Sequence, residues 1–383
     1  MKQALLIVLD SVGIGHAPDA ADFGDHGANT VGHIREAVDD LFLPHLDEAG
    51  LAACELIAAG ETFHGSSSFS CGALTEKSAG KDTTTGHWEI AGAPILEPFA
   101  TFEHFPDSLV EEMERMASVS FIGNFTRSGT VIIEELGEEH CRTAKPILYT
   151  SADSVIQIAA HEEVIPLETL YKICRACRTI ADREGIGRVI ARPFLGSPGN
   201  FTRSANRHDF SMAPPETVLN RLSDSGVETV GIGKISNIFA GSGINRSYPT
   251  RSNAEGCATI DKLLAEQPST PRLIFSNLVD FDMLYGHRRD PVGYANALRE
   301  FDYWFGTLIP RLNDDLLVII TADHGNDPTW YGTDHTRERV PLMAHLPGVS
   351  KGPDLRESFA DIAATLSGWF GTDHEGLTGK SFI

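Results

Sequence analysis

Two Asp-His pairs stand near the C-terminal end of the chain, Asp323-His324 and Asp334-His335. The first pair closely follows the apolar run 316–320, which is typical of a strand buried on both faces of a sheet. Carboxylate and imidazole side chains together suit divalent metals such as zinc, manganese or iron. Ligands of α/β sheets bind beyond the carboxyl ends of the strands, so Asp323 and His324 are candidate metal ligands. An isolated Asp-His-Gly sequence would more often be a simple turn after a strand.

Two further predicted strands end in carboxylates. Strand 4–9 is followed by Asp10, and strand 273–279 is followed by Asp282 with His287 five residues beyond it. Taken alone, Asp10 is as readily the N-cap of the segment that follows. Together with the residues named above and with His335, three carboxylates and three histidines are expected to meet at one sheet edge. Two divalent ions can share such a set and stabilise both the attacking and leaving oxygens of a phosphoryl transfer.

Segment 80–89, Gly-Lys-Asp-Thr-Thr-Thr-Gly-His-Trp-Glu, holds three consecutive threonines between glycines. A hydroxyl group is a weak nucleophile unless a base or a metal lowers its pKa. Metal ligands elsewhere in the chain therefore make one of these threonines a candidate nucleophile. As an isolated sequence, the segment predicts only a polar loop. His87 lies beside the threonines, and the sequence leaves open whether it supports the site or belongs to the core.

The arrangement of helical and strand patterns predicts an α/β protein with one insertion. Before and after the insertion, predicted strands and helices alternate along the chain as in doubly wound sheets. Residues 99–209 instead mix helices and strands and contain no Asp-His pairs. Residues 62–80 are rich in Gly and Ser and predict a loop. We predict an α/β core sheet with helices on both faces, formed by residues 1–98 and 210–383. Residues 99–209 are predicted to form an inserted α+β cap domain.

Composition excludes several classes of partner. The 383 residues carry a formal net charge of −22, which argues against nucleic acid or an anionic membrane surface as a partner. The six cysteines show no disulfide or zinc-site spacing, and Cys174 and Cys177 fall within a helical pattern, where reduced thiols are expected. No signal-peptide pattern and no run of about 18 apolar residues occurs. A cytoplasmic protein without a membrane segment is expected.

These motifs resemble those of the bacterial phosphopentomutases, which belong to the alkaline phosphatase superfamily. The resemblance runs nearly end to end and includes cap motifs that phosphatases in general do not share. The core motifs are Asp10–Gly15, Gly80–Thr83, Gly86–Glu89, Asp280–Asp282, Gly286–Asp290 and Thr321–Gly325. The cap motifs are Tyr149–Val155, Gly187–Phe194 and Asn206–Asp209.

The resemblance implies a set of site residues. Thr83 would be the residue that is phosphorylated in the active enzyme. Two Mn²⁺ ions per chain would be bound, the first by Asp10, Asp323, His324 and the Thr83 oxygen, and the second by Asp282, His287 and His335. In the cap, Asp153 and Ile190 would contact the pentose. Arg188, Arg203 and Lys234 would contact the distal phosphate of the substrate or stabilise the site.

The resemblance also implies an activity. The family interconverts ribose 1-phosphate, or its 2-deoxy analogue, with the 5-phosphate through a phosphothreonine and a pentose 1,5-bisphosphate. Small-molecule pentose phosphates are therefore the expected substrates, and a sugar bisphosphate is the expected activator. Because a phosphoenzyme is open to hydrolysis, the inserted domain is expected to act as a lid that excludes water.

Three alternatives are consistent with parts of the pattern. A metal-dependent phosphomonoesterase or phosphodiesterase would use the same core but leave its site open to water. A phosphoglycerate mutase of the cofactor-independent type would carry a serine nucleophile. A non-catalytic binding protein of this fold would be expected to have lost at least one ligand, and none is missing from the sequence.

Overall fold

The computed structural model describes residues 1–151, 154–348 and 354–383. The chain divides into two compact units. The first unit, here called the core, comprises residues 1–97 and 214–383, and the second, here called the cap, comprises residues 98–213. Strands and helices are numbered β1–β14 and α1–α12 in chain order. The predicted α/β fold with a central sheet is confirmed.

The core is built on a mixed sheet of eight strands. In spatial order they are β10 (Arg246–Tyr248), β9 (Glu228–Ile232), β11 (Arg272–Leu278), β1 (Gln3–Leu9), β12 (Leu316–Thr321), β13 (Val340–His345), β2 (Ser70–Leu74) and β14 (Leu355–Arg356). The run from β10 to β12 is parallel, whereas β13 is antiparallel to both β12 and β2. The strands β1, β11 and β12 are buried along almost their whole length because both faces of the sheet are covered.

The register of the three central strands decides where the candidate ligands lie. Val8 of β1 pairs with Asn277 of β11 on one side and with Thr321 of β12 on the other. The three parallel strands therefore end at the same level of the sheet. The residues that follow each strand, which include Asp10, Asp282 and Asp323, are delivered to a single edge.

Helices and loops of the core connect these strands. The helices are α1 (Thr30–Ala37), α2 (Pro44–Ala49), α3 (Leu51–Ala58), α4 (Thr83–Ile90), α8 (Val218–Asp224), α9 (Ile235–Ile238), α10 (Asn253–Ala265), α11 (Pro291–Leu308) and α12 (Asp361–Phe370). Segments Ala20–Phe23 and Ile309–Arg311 form 3₁₀ turns, and Phe281–Gly286 forms a π-helical turn directly after β11. Such π turns recur at functional sites, and this one carries Asp282.

The cap has its own six-stranded sheet and three helices. Its strands are β3 (Ile122–Thr126), β4 (Ile147–Thr150), β5 (Val155–His161), β6 (Arg188–Leu195), β7 (Thr202–Arg203) and β8 (His208–Ser211), in the order β3-β4-β5-β6-β7 with β8 also paired to β6. Its helices are α5 (Asp107–Ala117), α6 (Gly129–Thr143) and α7 (Leu167–Arg183).

Alternate residues of the cap strands enter two separate apolar clusters. Residues such as Leu148 and Val189 pack in the cluster of α5 and α7, whereas Tyr149 and Phe194 pack in the cluster of α6. This period of two places helices on both faces of the cap sheet. Arg188, Ile190 and Arg192 alternate along β6 in step with Phe194, so they lie on its α6 face.

Two local expectations are wrong. Segment 80–89, taken by itself, predicts a polar loop, but Thr83–Ile90 form helix α4, because Asp82 accepts hydrogen bonds from the backbone N–H groups of Thr84 and Thr85 and starts the helix. The segment 62–80, expected to be a loop, contains β2, whose small residues Ser70–Leu74 extend the sheet beside β13. Within the described part of the chain, no helix combines the length and apolar character that a membrane span requires.

Candidate metal centre

Two groups of ligand atoms lie at the carboxyl edge of the central strands. One group comprises Asp10, Asp323 and His324, and the other comprises Asp282, His324 and His335. Within each group the potential ligand atoms lie within 4.8 Å of one another. His324 belongs to both groups, and its ring centroid lies 4.0 Å from that of His335. The two groups therefore form one continuous centre.

Like charges dominate the electrostatics of this centre. Burial and the neighbouring carboxylates of Asp323 and Asp282 raise the pKa of Asp10 to about 7. Burial disfavours a charged His324, yet the surrounding carboxylates outweigh it and raise the pKa of this imidazole to about 9. Burial alone would also raise the pKa of Asp282, but the imidazoles of His287 and His335 beside it hold this pKa below its ordinary value. The carboxyl edge of the sheet therefore favours the binding of positive charge.

The histidines present the nitrogen that a metal needs. Nδ1 of His324 donates to the carbonyl oxygen of Gly325 at 3.0 Å, and Nδ1 of His287 donates to the carbonyl oxygen of Thr333 at 2.7 Å. A carbonyl oxygen can only accept, so each proton resides on Nδ1 and the lone pair is on Nε2. Orientation of a ligand histidine through its second nitrogen is the usual arrangement at metal sites.

Several buried atoms of the centre lack a hydrogen-bond partner. They are Oδ1 of Asp10, Oδ2 of Asp323 and Nε2 of His335. Buried polar atoms are nearly always satisfied in folded proteins, so these three indicate places for a cation. His287 lies outside the two compact groups, but its Nε2 is 3.2 Å from Oδ2 of Asp282. The donor set of carboxylate oxygens and imidazole nitrogens fits divalent metal ions.

Thr83 is the first residue of α4 and reaches the centre. Its Oγ1 lies 3.2 Å from Nε2 of His324. Oγ1 of Thr85, in contrast, contacts the backbone and carboxylate of Asp82 and completes the capping box of the helix. The geometry thus distinguishes two threonines that the sequence could not separate. A helix N-terminus also favours negative charge, such as a phosphate, on Thr83.

A glycine allows α4 to approach the strand end. A Cβ atom on Gly86 would lie 2.1 Å from the backbone oxygen of Asp323. No side chain larger than hydrogen fits there, because the two nearest atoms are backbone atoms of Asp323, which cannot move aside as a side chain can. Gly86 therefore sets the distance between the helix that carries Thr83 and the β12 end that carries two ligands.

Several residues that position the ligands were not identified from sequence motifs. Asn326 donates to Oδ1 of Asp282 at 2.7 Å. The backbone N–H of Ser11 donates to Oδ1 of Asp323 at 3.1 Å, and Ser11 adopts a left-handed conformation with φ of 77°. Such strained conformations are tolerated where the surrounding structure fixes them. Their position next to Asp10 and Asp323 in sequence was the only available signal.

Arg337 joins the ligand loop to the segment before α4. Its guanidinium is buried and donates to the carboxylates of Asp19 and Glu76 and to the backbone oxygen of Gly80. Arg337 stands two residues after His335, so one side chain ties the His335 segment to the start of the Thr83 helix. Lys81 makes a second link, with Nζ 2.9 Å from Asp25 and 3.3 Å from Asp334.

The expected substrate residues lie in different places. Lys234 precedes α9 in the core, close enough to lower the pKa of Asp10 by its charge. Ile190 is buried in β6 and Arg188 begins the same strand, while Arg203 is exposed on β7. Asp153 lies outside the described residues. The core centre thus brings together the six expected metal ligands and Thr83, while three of the other residues lie in the cap.

The cap has a cluster of cations of its own. The guanidinium groups of Arg192, Arg203 and Arg207 lie near the hydroxyl of Tyr149 and lower its pKa against the larger, opposite effect of burial. The hydroxyl itself is buried without a hydrogen-bond partner. It lies with Arg203 against Gly129, where a Cβ would be 2.1 Å from Nη2 of Arg203. This cluster suits an anionic group.

Replacement of Gly86 by Ala is expected to destabilise the protein and, in the molecules that fold, to reduce activity strongly. The added methyl group would force α4 away from Asp323, and misplacement of reacting groups by ~1 Å can cost about a hundredfold in rate. Steady-state kinetics beside thermal unfolding would measure this. Gly368→Ala in α12 is the matched control, because a Cβ there meets its nearest atom at an ordinary 3.5 Å. Equal activity of both variants would contradict this role for Gly86.

Comparison with known proteins agrees with this geometry. The Metalloenzyme superfamily profile matches residues 2–374. The phosphopentomutase of Caldanaerobacter subterraneus subsp. tengcongensis is 50% identical, with 100% of this chain and 98% of the relative covered. That of Syntrophotalea carbinolica is 49% identical, with 100% and 97% covered.

Solved structures share the fold at low identity. The phosphoglycerate mutase of Leishmania mexicana aligns with a TM-score of 0.52 at 12% identity, covering 100% of this chain and 98% of that one. The PH0037 protein from Pyrococcus horikoshii aligns with a TM-score of 0.51 at 13% identity, covering 98% and 99%. Two relatives are about 50% identical over the full chain, and the superfamily match and the divalent-metal centre agree with them. The chain therefore belongs to the phosphopentomutases, a family of isomerases within the metalloenzyme superfamily.

Proposed function

We propose that the protein is a phosphopentomutase that interconverts ribose 1-phosphate, or 2-deoxyribose 1-phosphate, with the corresponding 5-phosphate. The observation that carries the proposal is the position of Thr83, whose Oγ1 lies 3.2 Å from His324 at the N-terminus of α4. The names of the two full-length relatives support the same substrate class. The reaction would proceed through a phosphothreonine at residue 83 and a pentose 1,5-bisphosphate.

Two Mn²⁺ ions per chain are proposed for the centre. Asp10, Asp323, His324 and the Thr83 oxygen would hold one ion, and Asp282, His287 and His335 would hold the other. The partnerless atoms of Asp10, Asp323 and His335 support this assignment. When bound, such ions stabilise the charge that develops on the attacking and leaving oxygens of phosphoryl transfer.

The residues of the chain perform the remaining steps. The phosphoryl group leaves Thr83 as its Oγ–P bond breaks, while a new bond forms between phosphorus and the C1 hydroxyl of ribose 5-phosphate. The proton of that hydroxyl passes to the Thr83 oxygen as the phosphoryl group leaves it, and in the second transfer a proton returns from Thr83 to the 5-oxygen of the sugar. The bisphosphate then reorients, its 5-phosphoryl group passes to the Thr83 oxygen, and ribose 1-phosphate is released. The positive end of α4 favours the phosphorylated state of Thr83.

The cap is proposed to recognise the pentose phosphate and to exclude water from the phosphothreonine. Asp153 and Ile190 would contact the sugar. Arg188 and Arg203, with Lys234 of the core, would bind the distal phosphate or stabilise the site. The cation cluster around Tyr149 supports a role of the cap in anion binding.

A sugar bisphosphate is proposed to activate the enzyme by donating the first phosphoryl group to Thr83. We place the protein in the cytoplasm, where pentose phosphates are metabolised.

A hydrolase built on the same core would differ in its product. An assay of the manganese-loaded protein with ribose 5-phosphate therefore decides between the two activities, because a mutase yields the isomer and a hydrolase yields free phosphate.

Thr83→Ala is expected to abolish isomerisation while the fold and the metal content remain nearly intact. The reason is that the variant lacks the hydroxyl oxygen that accepts the phosphoryl group. Phosphopeptide analysis of the wild-type protein, after incubation with a sugar bisphosphate, should place the phosphate on residue 83. Thr84→Ala is the matched control and should remain active. Phosphate found on Thr84 or Thr85 would refute the assignment.

Loss of His335 or His287 is expected to empty one metal site preferentially. Each alanine variant would retain the Asp10, Asp323 and His324 ligands, so about one ion per chain should remain by elemental analysis. Asp323→Ala should remove the other ion preferentially. Since His324 is shared between the two ligand groups in the structure, His324→Ala should weaken both sites. Equal loss of both ions in the His335 and His287 variants would show that the division is wrong.

Arg203→Ala is expected to raise the KM for ribose 5-phosphate by about tenfold, because a hydrogen bond to a charged group contributes about 1.5–3 kcal/mol. The kcat value should fall less, because Arg203 lies in the cap and the ligands of the metal centre lie in the core. Arg127→Ala provides a control, since Arg127 is an exposed cap arginine paired with Glu135. An unchanged KM in the Arg203 variant would remove this residue from the binding site.

A further inference from the structure

Two buried polar side chains, His87 and Asn277, lie among the metal ligands without belonging to either ligand group. His87 is on α4 and Asn277 is on β11, and their exposed fractions are 0% and 1%. The sequence left the role of His87 open and gave no indication of Asn277. Buried polar groups of this kind cost free energy unless they are hydrogen-bonded, so their partners indicate their purpose.

Asn277 stands between Asp10 and His87. Its Nδ2 donates to Oδ2 of Asp10 at 2.9 Å and lies 3.3 Å from Nε2 of His87. The carboxylate oxygen of Asp10 accepts, which fixes the amide with its nitrogen toward this group. An amide nitrogen carries two protons, so the second proton is directed to His87. Nε2 of His87 is then an acceptor, and the ring proton must be on Nδ1.

The other side of the His87 ring requires the same tautomer. Nδ1 of His87 lies 2.8 Å from the backbone oxygen of Thr83 and 3.1 Å from Oδ2 of Asp323. The nearer of the two, the backbone oxygen of Thr83, can only accept, so Nδ1 carries the proton and donates it to Thr83. Two independent sets of contacts thus agree on one arrangement. A continuous chain runs from Asp10 through Asn277 and His87 to Thr83 and Asp323.

We propose that Asn277 and His87 are positioning residues that align Thr83 with Asp10 and Asp323 for phosphoryl transfer. The proposal rests on the proposed function, because it takes Thr83 as the residue that is phosphorylated. Asp10, Asn277 and Thr83 belong to three different elements, and this chain of side chains links them in addition to the contact of Thr83 with His324. Both side chains are almost completely buried, so each acts through the groups that it holds.

A simpler role is that His87 only fills space. Its ring stacks on that of Phe275, with ring centroids 5.8 Å apart. A residue that only fills space would tolerate substitutions of similar size regardless of where their polar atoms lie. A positioning residue would respond to the location of one nitrogen.

Two substitutions at residue 87 separate these roles. His87→Asn retains a nitrogen near the position of Nδ1, whereas His87→Gln retains one only near Nε2. If the contact with Thr83 and Asp323 matters, the Gln variant should lose about 10–100-fold in kcat, as for other residues that orient metal-site groups. The Asn variant should lose much less, and the KM for ribose 5-phosphate should stay nearly constant in both.

Asn277→Leu tests the same chain from its other end. This variant should lower kcat to a similar degree, and the double variant Asn277→Leu/His87→Gln should be no worse than either single one, because both changes break one chain. His345→Gln is the matched control, since His345 is a half-buried histidine on β13 that packs against Phe69. Its activity should be unchanged. Manganese content and thermal unfolding are measured for every variant.

The possible outcomes distinguish a positioning role of His87 and Asn277 from a purely structural one. Equal kcat values for His87→Asn and His87→Gln, or additive losses in the double variant, would overturn the proposal. Loss of activity in proportion to lost metal or lost folded protein would overturn it as well, because a structural role would then suffice. Failure of the proposed function is distinguishable, since the wild-type protein would then carry no phosphate on Thr83.

Discussion

Repulsion among three buried carboxylates is the constraint on which the rest of the structure depends. Asp10, Asp282 and Asp323 follow adjacent parallel strands, and in-register pairing brings them to one edge. Burial of like charges is unfavourable unless positive charge compensates them. Burial and the neighbouring carboxylates raise the pKa of Asp10, and the same carboxylates raise the pKa of His324 against the effect of burial. Cations bound at this centre would compensate the charge of the carboxylates.

The surrounding polar groups hold the carboxylates despite their repulsion. Glu338 shows how much of the chain is involved, because it accepts hydrogen bonds from Gly15, from Thr30 and from Thr336. A Cβ on Gly13 would lie 2.3 Å from Oε2 of Glu338, so a glycine is required there. These contacts, like that of Asn326 with Asp282, fix loops that would otherwise move apart. Rigid support of this kind is what precise phosphoryl transfer requires.

The expected metal ligands and the arginine cluster lie in different units of the chain. Every expected metal ligand and Thr83 lie in the core, whose fold is shared with a phosphoglycerate mutase at only 12% identity. The cap contains the arginine cluster around Tyr149 and no candidate ligand group among its described residues. A two-metal core can serve several phosphoryl transfers, because positioning and charge stabilisation do most of the work. We infer that the choice of pentose phosphate depends on the cap.

The sequence by itself determined the strands and their acidic ends. Runs such as 316–320 are local signals, and a carboxylate after a buried strand requires no knowledge of distant residues. It also predicted the insertion and the α/β class, because both follow from the order of patterns along the chain. The family resemblance rested on the same local motifs.

Only the tertiary structure decided how these pieces meet. Helix α4 was expected to be a loop, because the Thr-rich segment has weak helical propensity and its capping by Asp82 is a matter of geometry. The contact of Thr83 with His324, and the contacts of Asn277 and Arg337, join residues far apart in sequence, and His324 is shared between two ligand groups that distant strands supply. Such contacts depend on strand order and register, which local patterns do not specify. The sequence therefore determined which groups reach the edge, and the packed fold determined which of them touch.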